Sequence, residues 1–90
     1  MPFEYDPTKS ASNKDKHGID FEEAQALWDD DNMVQSPARD ESEPQRMAVG
    51  RLDGKLWTAI FTMRGDLVRL ISVRRSREKE SMFYERNHSD

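Results

Sequence analysis

The chain contains no cysteine, which excludes a disulfide framework, a thiolate zinc site and a cysteine nucleophile. Two histidines alone make a poor metal centre. There is no glycine-rich phosphate loop, no Gly-x-Ser-x-Gly elbow and no paired Cys or His spacing, so nucleotide-cofactor and zinc chemistry are not expected and no cofactor is required. No apolar run approaches the roughly 20 residues of a membrane span. The start, Met1-Pro2-Phe3-Glu4-Tyr5-Asp6, is acidic where a signal peptide is basic and then apolar, so the expected location is the cytoplasm. Apolar residues are scarce too, 34% against 36% charged, which implies a thin core and a heavily solvated surface. Ninety residues accommodate one domain, 1–90, with little room for the enclosed pocket of a metabolic enzyme.

Charge is abundant but segregated. Residues 1–45 hold 4 Lys/Arg against 12 Asp/Glu, a balance of −8, while residues 46–90 hold 10 against 6, a balance of +4. Eight arginines fall between Arg46 and Arg86, with only Lys55 and Lys79 as lysines among them. Arginine matters here because its planar fork grips phosphate through two parallel hydrogen bonds. A local anion site is therefore expected in the second half, despite the acidic isoelectric point.

Phe3-Glu4-Tyr5 alternates as a short edge strand does. Asp6-Pro7 then reads as a helix cap followed by proline at the first helical position, and His17-Gly18 as the stop. Asp20-Phe21-Glu22-Glu23 is a capping-box pattern opening a second helix. Its stripe of Phe21, Ala24, Leu27 and Trp28 faces the core, and it ends at Asp29-Asp30-Asp31. Met33-Val34 is read as a short strand before a loop reaching Pro44. Arg46–Leu52, Asp53-Gly54 and Lys55–Met63 form a hairpin through a type I′ turn. After Arg64-Gly65-Asp66, Leu67–Arg75 returns as a third antiparallel strand, with Val68, Leu70 and Ser72 on the face of Arg74 and Leu67, Arg69, Ile71 and Val73 opposite. Ser76 is expected to cap a last helix over Arg77 to about Asn87. The expected fold is α+β, with an antiparallel sheet of about four strands in the order β-α-α-β-β-β-α.

Among candidate functional residues, Arg64 and Arg74 have the same side-chain parity but sit at opposite ends of their ladder, so convergence on one phosphate is not implied. The plain alternative is that surface arginines pair with the many carboxylates of the first half, each exposed pair contributing only about 0 to 1 kcal/mol. Lys14, Lys16 and His17 cluster at a helix end, where cations complement the carbonyl dipole. His17 and Lys14 are also suited to proton transfer and charge stabilisation. Glu43 is the matching carboxylate candidate. Tyr84 is either core or a platform for a base. Trp28 and Trp57 are expected in the core.

Taken together, Lys14-x-x-His17-Gly18-Ile19-x-Phe21-Glu22-Glu23-Ala24, Glu43-x-x-Arg46, Phe61-Thr62-Met63-Arg64-Gly65, Arg69-Leu70-Ile71-Ser72-Val73-Arg74-Arg75 and Glu80-x-x-x-Tyr84 resemble the BrnT family of type II toxins over about residues 3 to 84. The family usually places alanine two positions after the arginine of its Ile-Ser-x-Arg block; here Arg74-Arg75-Ser76 stands instead. The resemblance implies a RelE-like compact domain, a ribonuclease that arrests growth by cutting RNA. It also implies a BrnA-like antitoxin partner with a ribbon-helix-helix region, and contact with operator DNA only through that complex. Metal-free cleavage by the 2′-hydroxyl would need a proton acceptor and stabilisation of the phosphorane. The expected catalytic set is Arg64, Arg74, Arg75, His17, Lys14 and Glu43, with Arg46, Arg69 and Tyr84 binding substrate. The alternative is a non-catalytic basic module that docks an acidic or DNA-binding partner.

Overall fold

The Asp6 carboxylate accepts the Thr8 N–H at 2.8 Å, and Pro7 occupies the first helical position, where a missing N–H costs nothing. In this computed structural model, which describes residues 2–38 and 44–87, the helix so started is α1 (Pro7–His17). Gly18 ends it at φ +82°, with its N–H on the Lys14 carbonyl at 2.9 Å. The capping box forms as expected: Glu23 N–H donates to Asp20, and Asp20 N–H to Glu23. The helix it opens, α2 (Phe21–Ala24), is shorter than expected. From Gln25 to Asp29 the backbone tightens to 3₁₀ geometry, and Asp30 N–H closes on the Leu27 carbonyl at 3.2 Å.

Among the described residues the sheet has five strands, where about four are expected from the sequence, in the order β1-β5-β4-β3-β2. They are β1 (Phe3–Glu4), β2 (Val34–Ala38), β3 (Gln45–Leu52), β4 (Lys55–Arg64) and β5 (Leu67–Arg75). The short strand expected at Met33-Val34, left out of the four, is β2, which starts at Val34 and runs on as a full antiparallel partner of β3, from Val34 opposite Val49 to Ala38 opposite Gln45. It carries Pro37, which an edge strand tolerates because its outer side needs no donor. β1 is parallel to β5, so the sheet is mixed. The Asp53-Gly54 turn has both residues at positive φ, as a type I′ hairpin requires.

A bulge in β5 changes which side chains share a face of the sheet. Ile60 pairs with Ser72 but Phe61 pairs with Leu70, so β5 carries one extra residue, Ile71, as a bulge. Alternation flips there. Val68 and Leu70 therefore join Val73 beneath α2, in one buried cluster with Ile19, Phe21, Ala24, Leu27, Ala48, Ala59 and Phe61. Trp28 seals its edge, meeting Phe3 at 5.2 Å and Phe61 at 5.3 Å, both edge to face. Arg69 is turned to the opposite face, the face of Arg74.

α3 (Glu78–Arg86) packs on that opposite face. Arg77, and not Ser76, occupies its cap position; the Ser76 hydroxyl is instead 2.8 Å from that of Thr58.

Candidate functional site

The face that bears α3 divides into a covered half and an open half. In the covered half Arg74, opposite Thr58 in the ladder, makes a two-pronged contact with Glu80, at 2.7 Å to Oε1 and 2.8 Å to Oε2. Glu80 Oε1 also accepts from the Arg77 N–H at 2.8 Å and the Thr58 hydroxyl at 3.0 Å. Burial would push this carboxyl up, but those hydrogen bonds outweigh it and hold it at about 2. The same contact raises the Arg74 guanidinium. Arg74 is thus a neutralised cation that ties α3 to the sheet. Beside it, Ser36, Met47, Lys79, Glu80 and Phe83 line a groove of about 400 Å³ between α3 and the strands.

In the open half, Arg64 at the end of β4 and Arg69 opposite Thr62 converge on one carboxylate, Glu4 of β1. Arg69 Nη1 lies 3.2 Å from Glu4 Oε2, and Arg64 Nε lies 4.0 Å from Oε1. The side chain of Arg64 is 61% exposed, while Arg69 and Glu4 are each 32% exposed. The strand order β1-β5-β4 within the sheet brings the three together: the register sets Glu4 beside Arg69, and the turn at Gly65 sets Arg64 next to them. Four residues of β4 separate the levels of Arg74 and Arg69, about 13 Å at 3.3 Å per residue. Arg64 is therefore partnered by Arg69, not by Arg74.

The other candidate residues lie elsewhere. Arg75 is opposite Trp57 and Arg46 opposite Phe61, which places both on the face of α2. The Arg75 guanidinium stacks 5.6 Å from the Trp57 ring centre, and Arg46 reaches Gln35 at 3.3 Å. Lys14 is ion-paired with Glu23 at 2.8 Å; the hydrogen bond raises the ammonium and lowers the carboxyl. His17 is exposed at the last turn of α1, which docks against the outer edge of β5 and against α2. Among the described residues, neither Lys14 nor His17 meets the strand arginines. Glu43 lies outside the described residues.

Tyr84 is 4% exposed, and its hydroxyl donates to Asp30 Oδ2 at 2.8 Å. Burial and that hydrogen bond both raise its phenol. Of the two readings open for this ring, core and base platform, the geometry places it in the core. Glu4 is the residue of the cluster that sequence reasoning misses. Its one visible signal is the alternation of Phe3-Glu4-Tyr5, which puts Glu4 on the face opposite Phe3.

Two cations and a carboxylate on an open sheet surface can hold a phosphodiester and offer a proton acceptor beside it. A family model described as a ribonuclease toxin, BrnT, of type II toxin-antitoxin systems matches residues 5–80. No curated protein matches the chain.

Proposed function

The chain belongs to the BrnT family of type II toxin-antitoxin ribonucleases, and from that premise we propose that it cuts RNA on the open half of its α3-bearing face without a metal ion. The observation that carries this reading is the convergence of Arg64 and Arg69 on one spot of an exposed sheet. A scissile phosphate arriving there lies between two guanidinium forks, beside the Glu4 carboxylate. As the 2′-oxygen attacks, the phosphorane gains charge, and the two arginines stabilise it more than the ground state. The nucleophile is the RNA's own hydroxyl, so DNA of the same sequence is spared.

Arg74 supports the site from a distance by fixing α3 through Glu80. The partner in this reading is a BrnA-like ribbon-helix-helix antitoxin, with operator DNA engaged only by the complex, in the cytoplasm. No helix of the described residues is long and apolar enough to cross a membrane.

The test is incubation of the purified, antitoxin-free chain with end-labelled RNA in EDTA, both naked and on ribosomes, beside DNA of identical sequence. Discrete RNA fragments with intact DNA are expected. DNA cut at a similar rate, or cleavage abolished by EDTA and restored by a divalent cation, overturns the mechanism. Stable RNA binding without any product would instead favour the non-catalytic basic module.

A further inference from the structure

We propose that Glu4 is the general base of this site, the group that removes the 2′-hydroxyl proton. The inference rests on the ribonuclease reading above and deepens it.

Two carboxylates meet Arg64, Arg69 and Arg74 among the described residues, and their surroundings differ. Glu80 receives four hydrogen bonds from Arg74, Arg77 and Thr58, and its side chain is only 13% exposed. Its oxygens are committed to holding α3. Glu4 has one hydrogen bond, from Arg69 to Oε2, while Oε1 stands 4.0 Å from Arg64, beyond hydrogen-bond length. A lone pair on Oε1 is therefore available to a hydroxyl, and the side chain is exposed enough for a substrate to reach it.

The backbone on either side is pinned. Val68 N–H donates to the Pro2 carbonyl at 3.0 Å, and Phe3 packs on Trp28. The Glu4 carboxylate is thus presented from a fixed strand, next to the two cations that would hold the phosphate. A base must lie within hydrogen-bond reach of the proton it takes, and this is the carboxylate so placed.

The chemistry balances as a transesterification. The 2′-hydroxyl proton passes to a Glu4 oxygen, and the electron pair left on the 2′-oxygen forms the new bond to phosphorus. The bond from phosphorus to the 5′-oxygen breaks, and that oxygen leaves with the pair and takes a proton from water. The Glu4 acid then returns its proton to the resulting hydroxide. The products are a 2′,3′-cyclic phosphate and a 5′-hydroxyl, with nothing consumed. Arg64 from β4 and Arg69 from β5 are the charged groups that face Glu4 throughout.

The experiment compares wild type, Glu4→Gln and Glu4→Asp as full-length chains on end-labelled RNA across pH, with binding measured separately on an uncleavable 2′-deoxy analogue. Glu4→Gln is expected to lower the cleavage rate about 10²- to 10⁴-fold, to bind the analogue as well as or better than wild type, and to lose the acid limb of the pH–rate profile. Glu4→Asp, which keeps the carboxylate one methylene further back, should retain that limb at a reduced rate. If wild type cuts and Glu4→Gln cuts within a few-fold with the same acid limb, Glu4 is not the base and the ribonuclease reading stands. If binding falls as far as the rate, Glu4 positions the arginines and the inference fails. A folded wild type that cuts neither naked nor ribosome-bound RNA removes both readings.

Discussion

At the scale of single residues, the arginines divide by what already neutralises them. Arg64 is largely exposed and 4.0 Å from its carboxylate, so its charge is available; Arg74 is held by two short contacts to Glu80. Replacing Arg64 with alanine should therefore slow RNA cleavage about 10²- to 10³-fold at nearly unchanged stability, the loss typical of one donor to a developing oxyanion. Arg74→Ala should act mainly through stability, since it strands the largely buried Glu80 carboxylate; thermal melting beside the cleavage assay separates the two. The same pair sets an acid limit. The folded Glu80 carboxyl sits at about 2, below its unfolded value, so its contribution is present at neutral pH and is lost as pH falls from about 5 to about 2. That contribution is about 2 to 3 kcal/mol from the size of the shift. Denaturant titrations at pH 7 and pH 3 should show the loss in wild type and much less of it in Glu80→Gln. Composition announces a basic segment in the second half, since a run of arginines against few acids stands out, but it does not say which of them converge. Glu4 is not legible, because it is one acid among twelve in its half and its partner Arg69 lies 65 residues away.

At the scale of elements, a buried side chain of α1, Asn13, hydrogen-bonds the helix to the edge of the sheet. The amide of Asn13 donates to the carbonyls of Ile19 at 2.7 Å and Val73 at 2.8 Å, and its oxygen accepts the Val73 N–H at 3.1 Å. It takes the place of a neighbouring strand on the edge of β5 that two-residue β1 leaves uncovered. Asn13→Ala leaves those three buried backbone groups unpaired and should cost about 2 to 4 kcal/mol in chemical denaturation, whereas exposed Ser12→Ala should be near neutral. The starts of α1 and α2, the hairpin turn and the bounds of β5 are legible, since caps and Asp-Gly turns act through neighbouring residues. What escapes sequence reading depends on partners far along the chain. β2 extends past the short strand legible at Met33-Val34 because β3 offers it an open edge; its later residues, Gln-Ser-Pro-Ala, do not announce it. The bulge at Ile71 is set by the fit of β5 against both β4 and the helices; no glycine or proline marks it. Without it, strict alternation assigns Arg69 to the wrong face and hides the cluster.

At the scale of the whole molecule, an acidic protein has to bind a polyanion through a local patch. The net charge is −4, and the acidic first half supplies β1, α1, α2 and β2, wrapped around a sheet whose three central strands come from the basic half. Binding of single-stranded RNA by such a patch should depend on salt only through the few cations that are not already paired tightly. Each phosphate gripped contributes about −0.7 to the slope of log affinity against log salt. With Arg64 and Arg69 gripping one phosphate, the slope for an uncleavable RNA should be about −0.7, and flatter in Arg64→Ala, which leaves Arg69 alone with its Glu4 partner. Arg74→Ala should leave the slope where it was, because its charge is spent on Glu80 before RNA arrives. Fluorescence anisotropy across a salt series measures all three. A slope that flattens in Arg74→Ala but not in Arg64→Ala would mean that RNA pulls Arg74 from Glu80, which moves the grip to the α3 end of the face and overturns the assignment to the open half.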